Sequence, residues 1–249
     1  MIPKKTWRVN LIGKALRFVE RFFFDPKLRR ALQQALSKSK RPSDSIKRSL
    51  IFFDVGANRG QTIQSLKSIY PESFIYSFEP DPTIFKQLVS KNKWSSVIFF
   101  NIALGESTGR FPFYISPLDE TSTFYLPTMD SIWNKKKATI LGLNSKNMYH
   151  RIEVDVVTMD EIVLQQNIHH VDLLKIDVEG GELQVLEGAI SSFNKGIVSV
   201  VQFETHNDDL RPSQKLKIEE FLIRKNFYKD SSIKHVFGNF HDEIWIKRI

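Results

Sequence analysis

The sequence predicts an α/β fold: a mostly parallel sheet with helices on both faces, an antiparallel hairpin at its C-terminal edge, and a helical N-terminal appendage. Three observations predict it. From residue 50 onward, short apolar runs alternate with helical patterns. The first run, Leu50 to Phe53, enters Asp54-Val55-Gly56-Ala57-Asn58-Arg59-Gly60-Gln61, an acid followed by two glycines four apart. This reads as a buried strand ending in a tight turn that opens a helix, the place where nucleotide-like cofactors sit in open α/β sheets. The last two apolar runs have no helix between them, which fits a hairpin.

Taken in order, residues 1–49 form a basic helical arm and linker. Trp7, Leu11, Ala15, Phe18 and Phe22 fall at helical spacing. Asp25-Pro26 then opens a second helix through Leu28, Leu32 and Leu36. Residues 37–49 are polar and read as a linker. Residues 50–249 form the cofactor domain. Its strands are expected at Leu50–Val55, Phe74–Glu79, Val97–Ile102, Val171–Asp177 and Ile197–Glu204. Helices are expected at Gly60–Ile69, Pro82–Asn92, Glu182–Ser192 and Ser213–Lys225, with Asp81 capping the second of these. The closing hairpin joins Phe227–Lys229 to Glu243–Lys247. Residues 105–157 interrupt the alternation. Arg110–Ile115 and Ile152–Val157 have strand patterns, and the polar stretch 116–150 between them reads as a substrate lid.

Composition narrows the function. The 249 residues include no cysteine, so disulfides, thiolate metal sites and a cysteine nucleophile are excluded. The net charge of +8 is uneven: residues 1–49 carry a net +11 and residues 50–249 a net −3. The excess is confined to the arm, so no nucleic-acid role is read from the global charge. The arm is expected to pack on the core, cover the site or form a dimer contact; peripheral contact with an anionic membrane through residues 1–45 is the alternative. The apolar runs are too short to span a bilayer, and no uninterrupted secretory segment opens the chain, so a cytoplasmic, at most membrane-peripheral, protein is expected. The oligomeric state is not legible.

The loop chemistry selects among cofactors. Glycine is needed where the backbone turns sharply or touches a ligand. Glu79 ends the next strand 25 residues after Asp54, where a carboxylate can accept hydrogen bonds from both ribose hydroxyls of an adenosine. Asp81 already caps the following helix, which leaves Glu79 for the ligand. A dinucleotide would need G-x-G-x-x-G spacing for its pyrophosphate, which is absent. A leading carboxylate suits an ammonium better than a phosphate. S-adenosylmethionine carries an ammonium and no phosphate, so it is the expected cofactor. An NAD- or nucleotide-sugar-binding enzyme and a non-catalytic cofactor-binding scaffold are the alternatives.

With these residues in view, the chain resembles the FkbM family of S-adenosylmethionine-dependent methyltransferases. The carrying motifs are Phe53-Asp54-Val55-Gly56-Ala57-Asn58-Arg59-Gly60-Gln61, Phe78-Glu79-Pro80 and Asn101-Ile102-Ala103-Leu104-Gly105. Val157-Thr158-Met159-Asp160, Leu174-Lys175-Ile176-Asp177-Val178-Glu179-Gly180, Glu182 and Val185-Leu186-Glu187-Gly188-Ala189 follow in order. The resemblance implies a Rossmann-like class I methyltransferase sheet and transfer of a methyl group to a hydroxyl on a glycan or other polar metabolite. It places Asp54, Gly56, Asn58 and Gly60 at the methionine end, Glu79 on the ribose, and Asn101 and Ala103 beside the adenine. Ala57, Pro80 and Asp177 complete the expected cofactor contacts.

An alcohol acceptor must lose a proton, which calls for a base. Asp177 and Glu179 follow one strand; Glu204 and His206 follow the next. Both strand ends face the ligand crevice in such sheets. His206 has a suitable ordinary pKa of about 6.5. Asp177 could equally serve cofactor orientation. The same four residues could ligate a hard divalent ion, but no metal is favoured. His169-His170 reads as a turn.

Overall fold

A computed structural model describes residues 25–39, 48–116, 122–124, 149–206, 212–235 and 240–248. The predicted first helix, linker residues 40–47 and most of the predicted lid lie outside the described residues. In chain order the first half comprises α1 (Asp25–Lys38), β1 (Ile51–Val55), α2 (Gln61–Ile69), β2 (Phe74–Phe78), α3 (Pro82–Ser90), β3 (Val97–Phe100), β4 (Ala103–Leu104) and β5 (Gly109–Ile115). The second half comprises β6 (His150–Val157), α4 (Met159–Gln165), β7 (Val171–Ile176), α5 (Glu182–Glu187), α6 (Ile190–Asn194), β8 (Val198–His206), α7 (Pro212–Arg224), β9 (Phe227–Lys234) and β10 (Phe240–Lys247).

A seven-stranded sheet runs in the order β3-β2-β1-β7-β8-β10-β9. The first five strands are parallel, and β10 pairs antiparallel with both β8 and β9. Strand order reverses beside β1, so the loops leaving β1 and β7 diverge to opposite faces and open a crevice between them.

Side-chain alternation explains the two-sided core. Phe52 and Phe53 are both fully buried, on opposite faces. On Phe53's side lie Leu174, Val201 and Phe203, with Met159 and Ile162 of α4, Val185 and Leu186 of α5 and Leu222 of α7. On Phe52's side lie Leu173, Val200, Ile244 and Ile246, with Leu32, Ala35 and Leu36 of α1 and Ile63 and Leu66 of α2. The second helix of the basic arm therefore packs on the sheet, and Lys38 reaches across to Asp230 at 2.6 Å.

Four elements differ from the sequence expectation. The stretch Glu182–Ser192 is two short helices, not one. They break at Gly188, where a Cβ would stand 1.9 Å from the Gly105 carbonyl oxygen. Asp160 then accepts the Ser191 and Ser192 N–H groups at 2.8 and 2.7 Å, which starts α6. Helix α4 was missed as an element: Thr158 caps it by accepting from the Glu161 N–H. Ala103–Leu104 leaves the main sheet and joins a small second one, ordered β4-β6-β5. The closing hairpin is longer than expected, with eight residues in each strand.

At the opposite end of the sheet from the crevice, buried Asp172 ties the chain entering β1 to β7. It accepts from both terminal nitrogens of Arg48 (2.9 and 2.7 Å) and from the Ile51 N–H (2.8 Å), with the His170 ring 3.2 Å away. Burial pushes the Asp172 carboxyl up, but hydrogen bonds from His170, Arg48 and Ile51 outweigh it and hold it below its ordinary value. A depressed folded-state pKa stabilises the fold above the unfolded value of about 3.9, and this is lost as pH falls through the folded value. Asp172→Ala is therefore expected to cost about 1–3 kcal/mol at pH 7. Denaturant midpoints of the two proteins should converge as pH falls through the depressed folded-state value; an equal gap at pH 7 and in acid would count against this account.

Candidate active site

The site begins where β1 ends. Gly56 turns with φ +82°, and a Cβ there would lie 1.9 Å from the Asp177 carbonyl oxygen. Only glycine lets the loops after β1 and β7 touch. The Gly56 and Ala57 N–H groups both donate to the Phe78 carbonyl, at 3.1 and 3.0 Å. Asn58 also adopts a left-handed conformation, φ 47°. Gly60, left-handed too, starts α2.

Glu79, just beyond β2, binds this loop together. One carboxylate oxygen accepts from the Asn58 N–H and the other from the Asp81 N–H, each at 2.8 Å. Asp81 caps α3 through Thr83 and Ile84. Burial is the main force on the Glu79 carboxyl and raises it to about 7, against those two backbone N–H groups. Asn101 donates its amide to the carbonyls of Glu79 and Pro80, at 2.8 and 3.2 Å, and so fixes the backbone of that turn.

Asp54 lies beneath the loop, fully buried, with neither oxygen hydrogen-bonded among the described residues. Its counter-charge is Lys175, opposite it on β7: Nζ lies 3.3 Å from Asp54, 3.2 Å from Asp177 and 3.4 Å from the Gly56 carbonyl oxygen. Burial alone would neutralise this lysine, but the two carboxylates outweigh it and raise its pKa. Burial in turn pushes Asp54 up, with Lys175 opposing. Lys175 is part of a motif quoted above, yet its role was not anticipated. The available signal was a lysine within an otherwise apolar strand that ends in an acid.

Between the two loops lies a cleft partly open to solvent. Gly56, Asn58, Glu79, Pro80 and Ala103 line one side, Asp177 and Glu179 the other. Asp54, Ala57, Gly60 and Asn101 support this lining from outside it. Phe113 of β5, Phe124 and Ser122 form a third wall, and the two rings meet edge to face at 5.0 Å. The short described piece of the predicted lid thus reaches the cleft: Thr123 pairs with Tyr114 and donates its hydroxyl to the Glu179 carbonyl at 2.9 Å.

Asp177, Glu179 and Glu204 bring carboxylate oxygens within 4.8 Å of one another. Three oxygens this close suit a bound cation or a hydrogen-bond donor between them. Burial, then the charges of Asp177, Asp242 and Glu182, raise Glu204 well above its ordinary value despite Lys175. Tyr149 stands nearby, its phenol pushed up to about 12 by burial and the Glu179 charge. His206 is the last residue of β8, opposite Phe240; its side chain lies outside the described residues. His170 belongs to the Asp172 cluster at the other end of the sheet.

A parallel sheet with this strand order, an antiparallel final hairpin and an acid-lined cleft beside β1 defines the Rossmann-like methyltransferase class. The Methyltransferase FkbM domain model matches residues 54–229, and the chain belongs to that family. It is 26% identical over 190 residues to Methyltransferase sdnD of Sordaria araneosa, covering 70% of this chain and 72% of that protein. Hexuronic acid methyltransferase AglP of Haloferax volcanii is 30% identical over 157 residues, 60% of this chain and 55% of its own length. The 31-O-demethyl-FK506 methyltransferase FkbM of Streptomyces tacrolimicus is 28% identical over 177 residues, 64% and 66% of the two chains. The chain thus spans little more than half of AglP and about two thirds of FkbM. No described helix is long and apolar enough to cross a membrane.

Lys175→Met removes the counter-charge of a fully buried carboxylate. The expected loss is about 3–5 kcal/mol in denaturant unfolding. Adding Asp54→Asn should restore part of that loss, because the uncompensated charge is then gone; a double variant no more stable than the single one would contradict the pairing.

Proposed function

We propose that the chain transfers a methyl group from S-adenosylmethionine to a hydroxyl of a glycan or other polar metabolite. One observation carries the reading: a single cleft with Glu79 and Asn58 on one wall and paired carboxylates on the other. The Asn58 side-chain oxygen is buried and has no hydrogen-bond partner among the described residues. Each Glu79 oxygen accepts one backbone N–H and retains capacity for another donor. These acceptors suit a ligand presenting ribose hydroxyls and an ammonium. Among the described residues the cleft lining includes three carboxylates and no lysine or arginine, which disfavours a pyrophosphate.

The donor would supply an electrophilic methyl on a positively charged sulfur. On this reading Glu79 holds the ribose, and Asn58 with the Gly56 turn holds the methionine end. Asp177 and Glu179 orient the acceptor hydroxyl along the line of displacement and take up its proton as its oxygen gains the methyl. His206 stands as an alternative base on the neighbouring strand. The aromatic wall of Phe113 and Phe124 gives the acceptor an apolar surface to rest on. Relatives named for a hexuronic acid and for the 31-O position of FK506 support a polar, oxygen-bearing acceptor.

Calorimetry with S-adenosylhomocysteine tests the donor side. Glu79→Ala should weaken binding about tenfold or more, the loss expected for hydrogen bonds to a charged group. With a Glu79 pKa of about 7, the carboxylate form prevails above neutrality, so affinity should fall as pH drops through 7. Glu79→Gln should abolish that dependence. Tight NAD binding with no response to the homocysteine product would overturn the reading.

A further inference from the structure

The closing hairpin brings a histidine to the far side of the acid cluster, a contact absent from the sequence reading. His235 follows β9 and is buried. Its Nε2 lies 2.7 Å from Asp242 Oδ2 and 3.8 Å from Glu204 Oε2. Asp242 faces Glu204 directly across the β8–β10 pairing and accepts the Gln202 amide on its other oxygen at 2.7 Å. The Phe240 ring packs on the imidazole with centroids 4.1 Å apart. Two strands thus hold His235 against Glu204, and Glu204 stands against Asp177 and Glu179 of the cleft.

We propose that His235, oriented by Asp242 and Gln202, is a positioning residue for methyl transfer: it fixes the Glu204 side chain behind Asp177 and Glu179, so that this pair faces the acceptor hydroxyl. The inference rests on the methyltransferase reading above. Its proton balance is simple. The acceptor O–H proton passes to a carboxylate of the pair, the C–O bond forms, and the C–S bond breaks to leave a neutral thioether. Around Glu204 stand Lys175 of β7, Asp177 and Glu179 beyond it, Glu182 of α5, Asp242 of β10 and His235. Burial among these acids raises the Glu204 carboxyl well above its ordinary value, which favours its protonated form. A protonated Glu204 offers the cleft carboxylates a hydrogen bond in place of a third negative charge. Its O–H can serve them only while the side chain is held in place, which is the part assigned to His235.

The test uses the full chain, S-adenosylmethionine and a panel of neutral methyl pyranosides as acceptor probes. His235→Ala should lower kcat about tenfold or more, on the scale of a misplaced general base, with the acceptor KM and S-adenosylhomocysteine affinity within about twofold. His235→Asn, which keeps a side-chain N–H toward Asp242, should recover part of the loss. In a Glu204→Gln background, His235→Ala should cost nothing further. An acceptor-independent check is the infrared carbonyl band of a protonated carboxylic acid, absent in Glu204→Gln and displaced in His235→Ala. Should His235→Ala fail to fold, Asp242→Asn carries the same expectations. Additive losses, or an unmoved infrared band, would overturn the inference alone. Wild-type protein that binds no S-adenosylhomocysteine would overturn the methyltransferase reading and this inference with it.

Discussion

The ion pair between Lys175 and Asp54 sits where the fold and the cleft share atoms. Asp54 is the penultimate residue of β1, and Lys175 is its register partner on β7, the middle strand of the sheet. Neither is solvated, so each depends on the other for its charge. The same ammonium reaches Asp177, at the edge of the cleft. Moving Lys175 would shift a carboxylate of the site as well as unbalance the core. The loop crossing above this pair has no freedom of its own: the Gly56 backbone lies against the Asp177 carbonyl, and Glu79 pins Asn58. The loops after β1 and β7 therefore rest together on a charged foundation.

That foundation continues across the sheet as a band of buried polar side chains on one face. Ser77, Asp54, Lys175 and Gln202 occupy successive register positions on β2, β1, β7 and β8. Gln202 passes the band to Asp242, and Asp242 to His235. Below it the same face is apolar, with Phe52, Leu173, Val200 and Ile244. Polar groups gather where the strands end because that is where hydrogen-bonding loops and ligands can satisfy them.

Much of the loop structure after β1 and β2 was legible in the sequence because its residues are near neighbours or end consecutive strands. The glycine spacing, Glu79 and the Asp81 cap follow from local chemistry. The helix break at Gly188 was not legible, since its cause is a carbonyl more than eighty residues away. His235 escaped notice for a related reason: a lone histidine near a hairpin gives no local sign that an antiparallel register will set Asp242 opposite Glu204. Lys175 was in plain view within a quoted motif. Its meaning needed the parallel register that sets it against Asp54. The arm was expected to pack on the core, cover the site or form a dimer contact, and its second helix does share a hydrophobic cluster with the central strands. Amphipathic spacing identifies a helix but not the surface it covers.

The aromatic wall of the cleft is built on different ground from the other two. Phe113 belongs to the small sheet of β4, β5 and β6, and Phe124 hangs from the segment paired to it. Among the described residues, the hydrogen bonds that tie Gly56, Ala57 and Asn58 to Phe78 and Glu79 do not involve Phe113 or Phe124. Substitutions here can reshape one side of the cavity while the loop after β1 keeps its geometry. The cleft thus has a replaceable face beside a fixed one, an arrangement by which a lineage can vary what the cavity admits without disturbing the charged pair beneath it, and a natural starting point for anyone wishing to redirect it.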